Sequence, residues 1–542
     1  MPQPRTLVIS VKDTESVSLG AMAKFGKFQC WQYALAMLPL LFTAMSNINY
    51  VFAAAADEAS VEDEELHEHI FVVPGTPVRG RTAGAGATAV VAGARAAPLL
   101  PPRARCRRTQ LQCRQLHQSV KTLRRLGLRF RNSIVAEFDL ACQEWKRTLV
   151  GTVHNIGVMI SMPLMGFVSD RWGRRKSIIA SGLGLAVGAF KTLTAGPGWT
   201  GYPLYMLLEL LEAALVTGTY TTCFVLMLEL VGKNRRVISA LVLGIMIAAG
   251  ELLLALIVWL VPYWRHFQLF LYCPAFIFLT YIFLLDESLR WLIVNEKNDK
   301  AVMLVQKIAK WNGIPVSRKM IDGIRNSKVA FDADVEVEKE KFHPKLLFSS
   351  TMLLKRLLVC SWWWFTAAFV YYGLLINSVS LPGNKIVNFA LSSLSTLIAE
   401  FVAAYLLNKI GRKFTLLGGF LLCGVCCVSE AFIPKAATTE LIVIFLLGKM
   451  CISVCFNAIY VYTSELVPTS ARGCLVGACS MLARVGSVLA PLTPLLGAWW
   501  PPMPILLFGG AALTAAGATL TTPETLRRAL PDTVAQATQQ QQ

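Results

Sequence analysis

Charge is scarce in this sequence: Asp, Glu, Lys and Arg make up 16% of its 542 residues, against about 25% in soluble globular domains. That shortage excludes a water-facing surface over most of the chain. With 55% hydrophobic residues, lipid is the natural solvent. Also missing are a glycine-rich phosphate loop, a zinc-ligand spacing and a nucleophile motif, so no enzyme constellation, cofactor or metal is expected. Most of the fourteen cysteines, among them Cys223, Cys360, Cys426, Cys427 and Cys451, fall inside apolar runs, which argues against a disulfide framework. The first such run, near Trp31, lacks a small-residue cleavage site, so it is read as retained.

What is present is the apolar run itself, at the length of about 20 residues that a helix needs to cross a hydrocarbon core about 30 Å thick. Twelve spans are predicted, at 31–54, 148–168, 177–195, 203–228, 237–261, 267–285, 357–379, 387–407, 414–434, 440–463, 474–498 and 503–521. Arg171, Arg174, Arg175, Lys176, Lys233, Arg235, Arg236, Lys409, Arg412 and Lys413 fall in short loops on one side. The excess of cations on that side predicts that it is cytoplasmic, with both termini there. The expected division is a cytoplasmic N-terminus (1–30), a six-helix bundle (31–285) with a large outer loop (55–147), a cytoplasmic inter-bundle loop (286–355), a second six-helix bundle (356–521) and a cytoplasmic tail (522–542). In the inter-bundle loop, Asn298 is placed to cap a helix whose Val302, Val305 and Ile308 share a face and which Gly313 ends.

The chain repeats itself. Gly166-x-x-x-Asp170-Arg171-Trp172-Gly173-Arg174-Arg175 follows the second span, and Asn408-Lys409-Ile410-Gly411-Arg412-Lys413 follows the eighth, 238 residues on. Glu229-Leu230-Val231 ends the fourth span and Glu465-Leu466-Val467, with Arg472 after it, ends the tenth, 236 residues on. Two motifs repeating in one order at nearly one spacing predict two parallel halves. Asp170, Arg171, Gly173, Arg174, Arg175, Glu229, Lys409, Gly411, Arg412, Glu465 and Arg472 are the gating candidates: helix-end carboxylates and cationic loops that pair and separate as the halves rock.

The first motif resembles the cytoplasmic loop motif of the major facilitator superfamily. Further stretches are similar to its organic cation/anion transporter family, which includes carnitine carriers: Ser133-Ile134-Val135-Ala136-Glu137-Phe138-Asp139-Leu140-x-Cys142, Trp264-Arg265-x-x-Gln268, Glu287-Ser288-x-Arg290-Trp291-Leu292, Tyr371-Tyr372-Gly373-Leu374, Tyr462-Thr463-Ser464-Glu465-Leu466-x-Pro468-Thr469, Pro523-Glu524-Thr525 and Leu530-Pro531-Asp532-Thr533. The resemblance covers roughly residues 132–534. It implies the all-α major facilitator fold, two six-helix bundles around a central cavity. Two positions depart from the family pattern: Asn408 stands where an acid is usual, and Asp286 where proline is common.

Ionisable side chains inside spans are costly and tend to face a wet interior, which makes each a site candidate. Arg484 and Lys449 lie near mid-membrane by register, at a rise of about 1.5 Å per residue. By resemblance, Arg484 stands where anion and carnitine carriers have arginine and simple cation carriers have aspartate, and Asn457 where some cation carriers have glutamate. Glu251 and Glu212 pull the other way, as partners for an ammonium group or a coupling proton, or as structural partners of Lys449 or Arg484. Trp364 and Tyr371, seven residues apart, share a helical face. The resemblance places the matching pair in the substrate cavity, with Tyr372 and Tyr460 as weaker candidates.

Residues 75–131 fit nothing else in the chain. They are rich in Gly, Ala, Pro and Arg, contain no acid, and supply thirteen cations of the formal +19. Codons can be chosen for Gln115–Phe130 that, read one nucleotide later, encode N-F-T-N-R-S-K-P-C-D-A-W-V-Y-D, with two glycosylation sequons and an ending like the family's outer loop. The hypothesis is that this segment is out of frame. A transcript whose printed frame is intact across it overturns the idea.

The function expected is alternating-access transport of small organic ions, leaning to organic anions or to amino-acid-like or carnitine-like zwitterions. The alternatives are an organic cation carrier and a transport-inactive, carrier-like receptor. Expected partners are the solute, a coupling ion or exchanged solute, and the bilayer of the plasma membrane. Nucleic acid is not expected, and the protein is expected to be a monomer.

Overall fold

The structure is a computed structural model that describes residues 26–54, 134–138, 140, 143–196, 200–230, 236–313, 318–326, 351–434, 437–467, 472–497 and 499–526. The segment 75–131, Lys233, Arg235, most of both termini and the side chains of Arg236 and Arg472 lie outside the described residues.

Backbone amides find no water partners in hydrocarbon, so the spans satisfy them internally as helices. Twelve described helices are long and apolar enough to cross a membrane. The first half holds Lys27–Ala53, Glu144–Trp172, Arg174–Thr194, Gly201–Leu230, Leu241–Leu260 and Trp264–Leu284. The second holds Leu354–Ser380, Lys385–Lys409, Arg412–Glu430, Thr438–Leu466, Leu475–Gly497 and Met503–Leu520. They are referred to as the first to twelfth spans. The second and eleventh spans pack against each other across the halves, as do the fifth and eighth.

The repeat seen in the sequence is a repeat of geometry. Gly173 (φ 102°) and Gly411 (φ 111°) each turn the chain into the next span in the left-handed region that favours glycine. After each turn an arginine reaches a glutamate: Arg174 Nη2 to Glu229 Oε1 at 3.1 Å, and Arg412 Nε to Glu465 Oε2 at 3.1 Å. Both pairs close within one half. A third repeated element appears only in space. Glu287 accepts the backbone N–H groups of Arg174 (2.8 Å) and Arg175 (3.3 Å), and Glu524 those of Arg412 (3.0 Å) and Lys413 (3.0 Å). A carboxylate thus caps the positive end of the third and of the ninth span.

The two caps differ in charge environment. Burial pushes the Glu287 carboxyl above its ordinary value in spite of the N–H donors of Ser288, Arg175 and Arg174. At Glu524 partial burial opposes the ionised form, but N–H groups of Leu526, Arg412, Thr525 and Lys413 outweigh it and hold the carboxyl below its usual range. A lowered carboxyl value means that this cap stabilises the fold above the ordinary carboxylate range and is lost as pH falls through the lowered value. A Cβ on Gly411 would press into the Glu524 carboxylate as well as strain the backbone. Gly411→Ala is therefore expected to cost about 1–3 kcal/mol, read as a lower Tm in detergent. Gly418→Ala, where nothing lies within 4 Å, is the control and should leave Tm unchanged or slightly raised. Equal Tm for both variants would discount the cap.

Sequence stretches that looked unrelated meet in the structure. Glu137, on the short helix Ile134–Glu137, accepts from Trp264 Nε1 at 3.1 Å and from Arg265 Nη2 at 2.7 Å, tying the entry to the second span onto the start of the sixth. Between the halves, the helix Asn298–Asn312 ends at Gly313 in the left-handed region (φ 66°). Its Val302, Val305 and Ile308 are buried against Phe28, Leu289, Trp291 and Leu292. Asn298 is the first helical residue instead of the cap, and its Nδ2 donates to Arg325 O at 3.3 Å.

At the end of the bundle opposite the glycine turns the halves are sealed by apolar contacts. Leu375 and Phe389 of the second half belong to the same buried cluster as Tyr50, Val51 and Phe52 of the first. The Phe52 and Phe389 rings are 4.7 Å apart. A Cβ on Gly151 of the second span would lie 2.7 Å from the Tyr50 ring and 3.0 Å from Pro491, so only glycine permits this approach.

Candidate functional site

The seam between the halves carries a polar and aromatic group assembled from both. On the second half a run of rings extends from Trp364 to Tyr460 (4.4 Å), Tyr460 to Phe456 (5.9 Å), Phe456 to Tyr371 (5.5 Å) and Tyr371 to Tyr372 (5.3 Å). Trp364 is buried and donates from Nε1 to Thr463 Oγ1 at 3.0 Å. Tyr460 keeps 38% of its surface exposed, although its ring is bracketed by Trp364 and Phe456.

Charge enters this group from four spans. Lys449 is buried, with Nζ 3.1 Å from Tyr371 O and 3.2 Å from the centre of the Tyr371 ring, a cation–π contact. The Tyr371 hydroxyl crosses the seam and donates to Glu251 Oε1 at 3.3 Å. Glu251 Oε2 is buried without a partner among the described residues. Arg484 is half-buried, lies within electrostatic reach of Tyr460 and of Tyr220 from the first half, and makes no ion pair among the described residues; its Nε is a buried, unpartnered donor. Asn457 donates to Ser453 O at 3.3 Å and adjoins Glu400 of the eighth span. Thr366, Ser392 and Ser393 add buried hydroxyls with no partner among the described residues. Unsatisfied polar groups of this kind are what a solute or water would complete.

Sequence reasoning passed over Tyr220 and Glu400, although Glu400 is an intramembrane acid and carried the same signal as Glu251. It also missed the partner of Glu212. Instead of facing Lys449 or Arg484, Glu212 is engaged inside the first half by Lys191. Lys191 sits near the end of its predicted span, where a lysine reads as an end residue snorkelling to the interface.

The gating candidates lie at the glycine turns. Arg174 also holds Asp170 Oδ1 at 2.9 Å, while Asp170 is itself largely exposed. Arg171 lies over the Phe167 ring at 5.9 Å, Arg175 donates to Ile282 O, and Lys409 Nζ donates to the Tyr405 hydroxyl at 2.6 Å. Arg472 begins the helix Arg472–Leu489.

Residues 117–533 match the model of the family described as sugar (and other) transporter. Over 410 residues the chain is 30% identical to solute carrier family 22 member 6 of Rattus norvegicus, covering 75% of this chain and 73% of that protein. This chain belongs to the organic cation/anion transporter family of the major facilitator superfamily. It is also 28% identical over 415 residues to the organic cation transporter protein of Drosophila melanogaster (75% and 74% covered) and 29% identical over 406 residues to solute carrier family 22 member 3 of Mus musculus (74% and 71%). The structure of the proton:xylose symporter XylE bound to 6-bromo-6-deoxy-D-glucose superposes with a TM-score of 0.57 at 14% identity, covering 93% of this chain and 98% of that one, which shows the fold. The family is one of multi-pass membrane carriers, not enzymes, so the seam between its two bundles is where a solute-binding group belongs.

Proposed function

We propose that this family member moves small organic anions or zwitterions by alternating access at the plasma membrane, with the glycine-turn side facing the cytoplasm. The observation that carries the reading is Arg484: a half-buried guanidinium in the seam, within electrostatic reach of Tyr220 and Tyr460, with no carboxylate partner among the described residues. Its buried Nε donor lacks a partner among the described residues, and a bidentate carboxylate of the solute would complete it. Glu251 and Glu400 supply counter-charge for the ammonium pole of an amino-acid-like or carnitine-like zwitterion.

Lys449, Trp364, Tyr372, Asn457 and Tyr460 complete the proposed binding group. The proposed gate consists of Asp170, Arg171, Gly173, Arg174, Arg175, Glu229, Lys409, Gly411, Arg412, Glu465 and Arg472. A monomer that touches no nucleic acid is part of the same reading. Uptake of labelled benzoate, carnitine and tetraethylammonium into cells expressing the full chain tests it. Uptake of the first two above background, and of the third at background, is expected. Uptake of tetraethylammonium alone would favour the cation carrier, and binding without uptake the receptor. The likeness to the organic cation transporter protein of Drosophila melanogaster keeps the cation reading as the specific rival.

A further inference from the structure

The first half encloses a cluster of ionisable groups that the proposed solute group does not use. Lys191 Nζ on the third span donates to Glu209 Oε2 at 2.6 Å and to Glu212 Oε2. Glu209 Oε1 meets His154 Nδ1 of the second span at 2.8 Å. Glu212 Oε1 accepts from the Tyr272 hydroxyl at 2.5 Å and from Ser46 Oγ at 2.7 Å. All four ionisable members are at most 1% exposed. The titratable groups facing them are Tyr50 from the first span, Tyr205 from the fourth and Tyr272 from the sixth, with Asn49 and Gln268 as neutral neighbours.

The charges do not balance. Two carboxylates around one ammonium leave a net negative charge away from water, and an uncompensated buried charge is strongly destabilising. One proton restores neutrality. The place to receive it is His154: Nδ1 is committed to Glu209, and Nε2 is buried with no partner among the described residues. Imidazole is the side chain that exchanges a proton near neutral pH.

The position of His154 ties the proton to the seam. Its ring centre lies 5.1 Å from that of Tyr50, and Tyr50 and Pro491 of the other half both approach Gly151, one turn before His154 on the second span. Parting of the second and eleventh spans would uncover Tyr50 and then His154.

Resting on the carrier reading above, we propose that His154, Glu209, Lys191 and Glu212 form a proton-binding site whose occupancy is linked to the opening of this seam, so that a pH difference across the membrane drives solute accumulation. One proton binds at imidazole nitrogen while the seam is open and returns to water on the other side in the alternate state, with no bond other than N–H made or broken.

Full-length protein reconstituted in liposomes tests this with labelled carnitine, benzoate and tetraethylammonium, each measured in counterflow at equal pH and in accumulation under an imposed pH step. A one-unit step is expected to support up to about tenfold accumulation of whichever probe exchanges, the limit for one proton per solute. His154→Gln and, as a second variant that removes one negative charge, Glu209→Gln should keep counterflow and lose the pH-driven part. Accumulation indifferent to pH in the unmodified protein, dependence on a sodium gradient instead, or pH-driven accumulation surviving in both variants would overturn the proposal. If no probe exchanges, the carrier reading for these solutes fails, and the proton site is judged on ¹⁵N-histidine spectra. A pH-dependent imidazole signal that vanishes in His154→Gln is expected; its absence would overturn the site.

Discussion

Replacing Lys191 with methionine is expected to destabilise the protein by about 3–5 kcal/mol, the cost of stripping the partner from a buried charge. Lys191 Nζ sits between Glu209 and Glu212, both fully buried, and methionine would leave the two carboxylates facing each other without a cation. The loss should show as a sharply lower Tm and a smaller fraction of monodisperse protein in detergent. Combining Lys191→Met with Glu209→Gln and Glu212→Gln removes the charges together and should recover most of the stability, because an apolar or neutral replacement of a whole buried ion group is often tolerated. A single Lys191→Met variant as stable as the unmodified protein would mean that the cluster is not ionised as drawn.

Arg484→Asp should lower uptake of benzoate and carnitine by roughly ten- to a hundredfold, from the loss of hydrogen bonds to a charged group worth about 1.5–3 kcal/mol. Aspartate there would add an acid to a group that already holds Glu251 and Glu400, which should also raise any residual uptake of tetraethylammonium. Arg484→Lys should retain part of the anion uptake, since lysine supplies a point charge without the bidentate fork. Unchanged selectivity in Arg484→Asp would remove this residue from the site and shift the weight to Lys449, whose ammonium already rests on the Tyr371 ring.

These two predictions sit differently with respect to the sequence. Arg484, Lys449 and Glu251 were legible because a charge inside a long apolar run stands out against its neighbours, and helical rise places it in depth. Trp364 and Tyr371 were legible as one helical face. What register along a single helix leaves open is which side chain meets which across the bundle. Glu212 could have faced either half, and its contact with Lys191 depends on the packing of the third span against the fourth. His154, inside the span predicted at 148–168, carried the general signal of an intramembrane ionisable residue and was passed over; its partner emerges only once Glu209 lies 2.8 Å away.

The fold was written in the chain at the level of local physics. Apolar runs of membrane-spanning length, cations gathered in the short loops, and the Gly173 and Gly411 motifs repeated 238 residues apart required twelve helices in two like halves, because lipid leaves the backbone no other way to satisfy its hydrogen bonds. Pairing across the bundle needed the three-dimensional arrangement. The capping of the turns at Gly173 and Gly411 by Glu287 and Glu524 and the Tyr371–Glu251 bridge over the seam join residues 111 to 120 positions apart, and Lys191 meets Glu209 and Glu212, 18 and 21 positions on, from a different span. Side-chain charge determines that such groups must find partners; only close packing of the helices selects which partners they find.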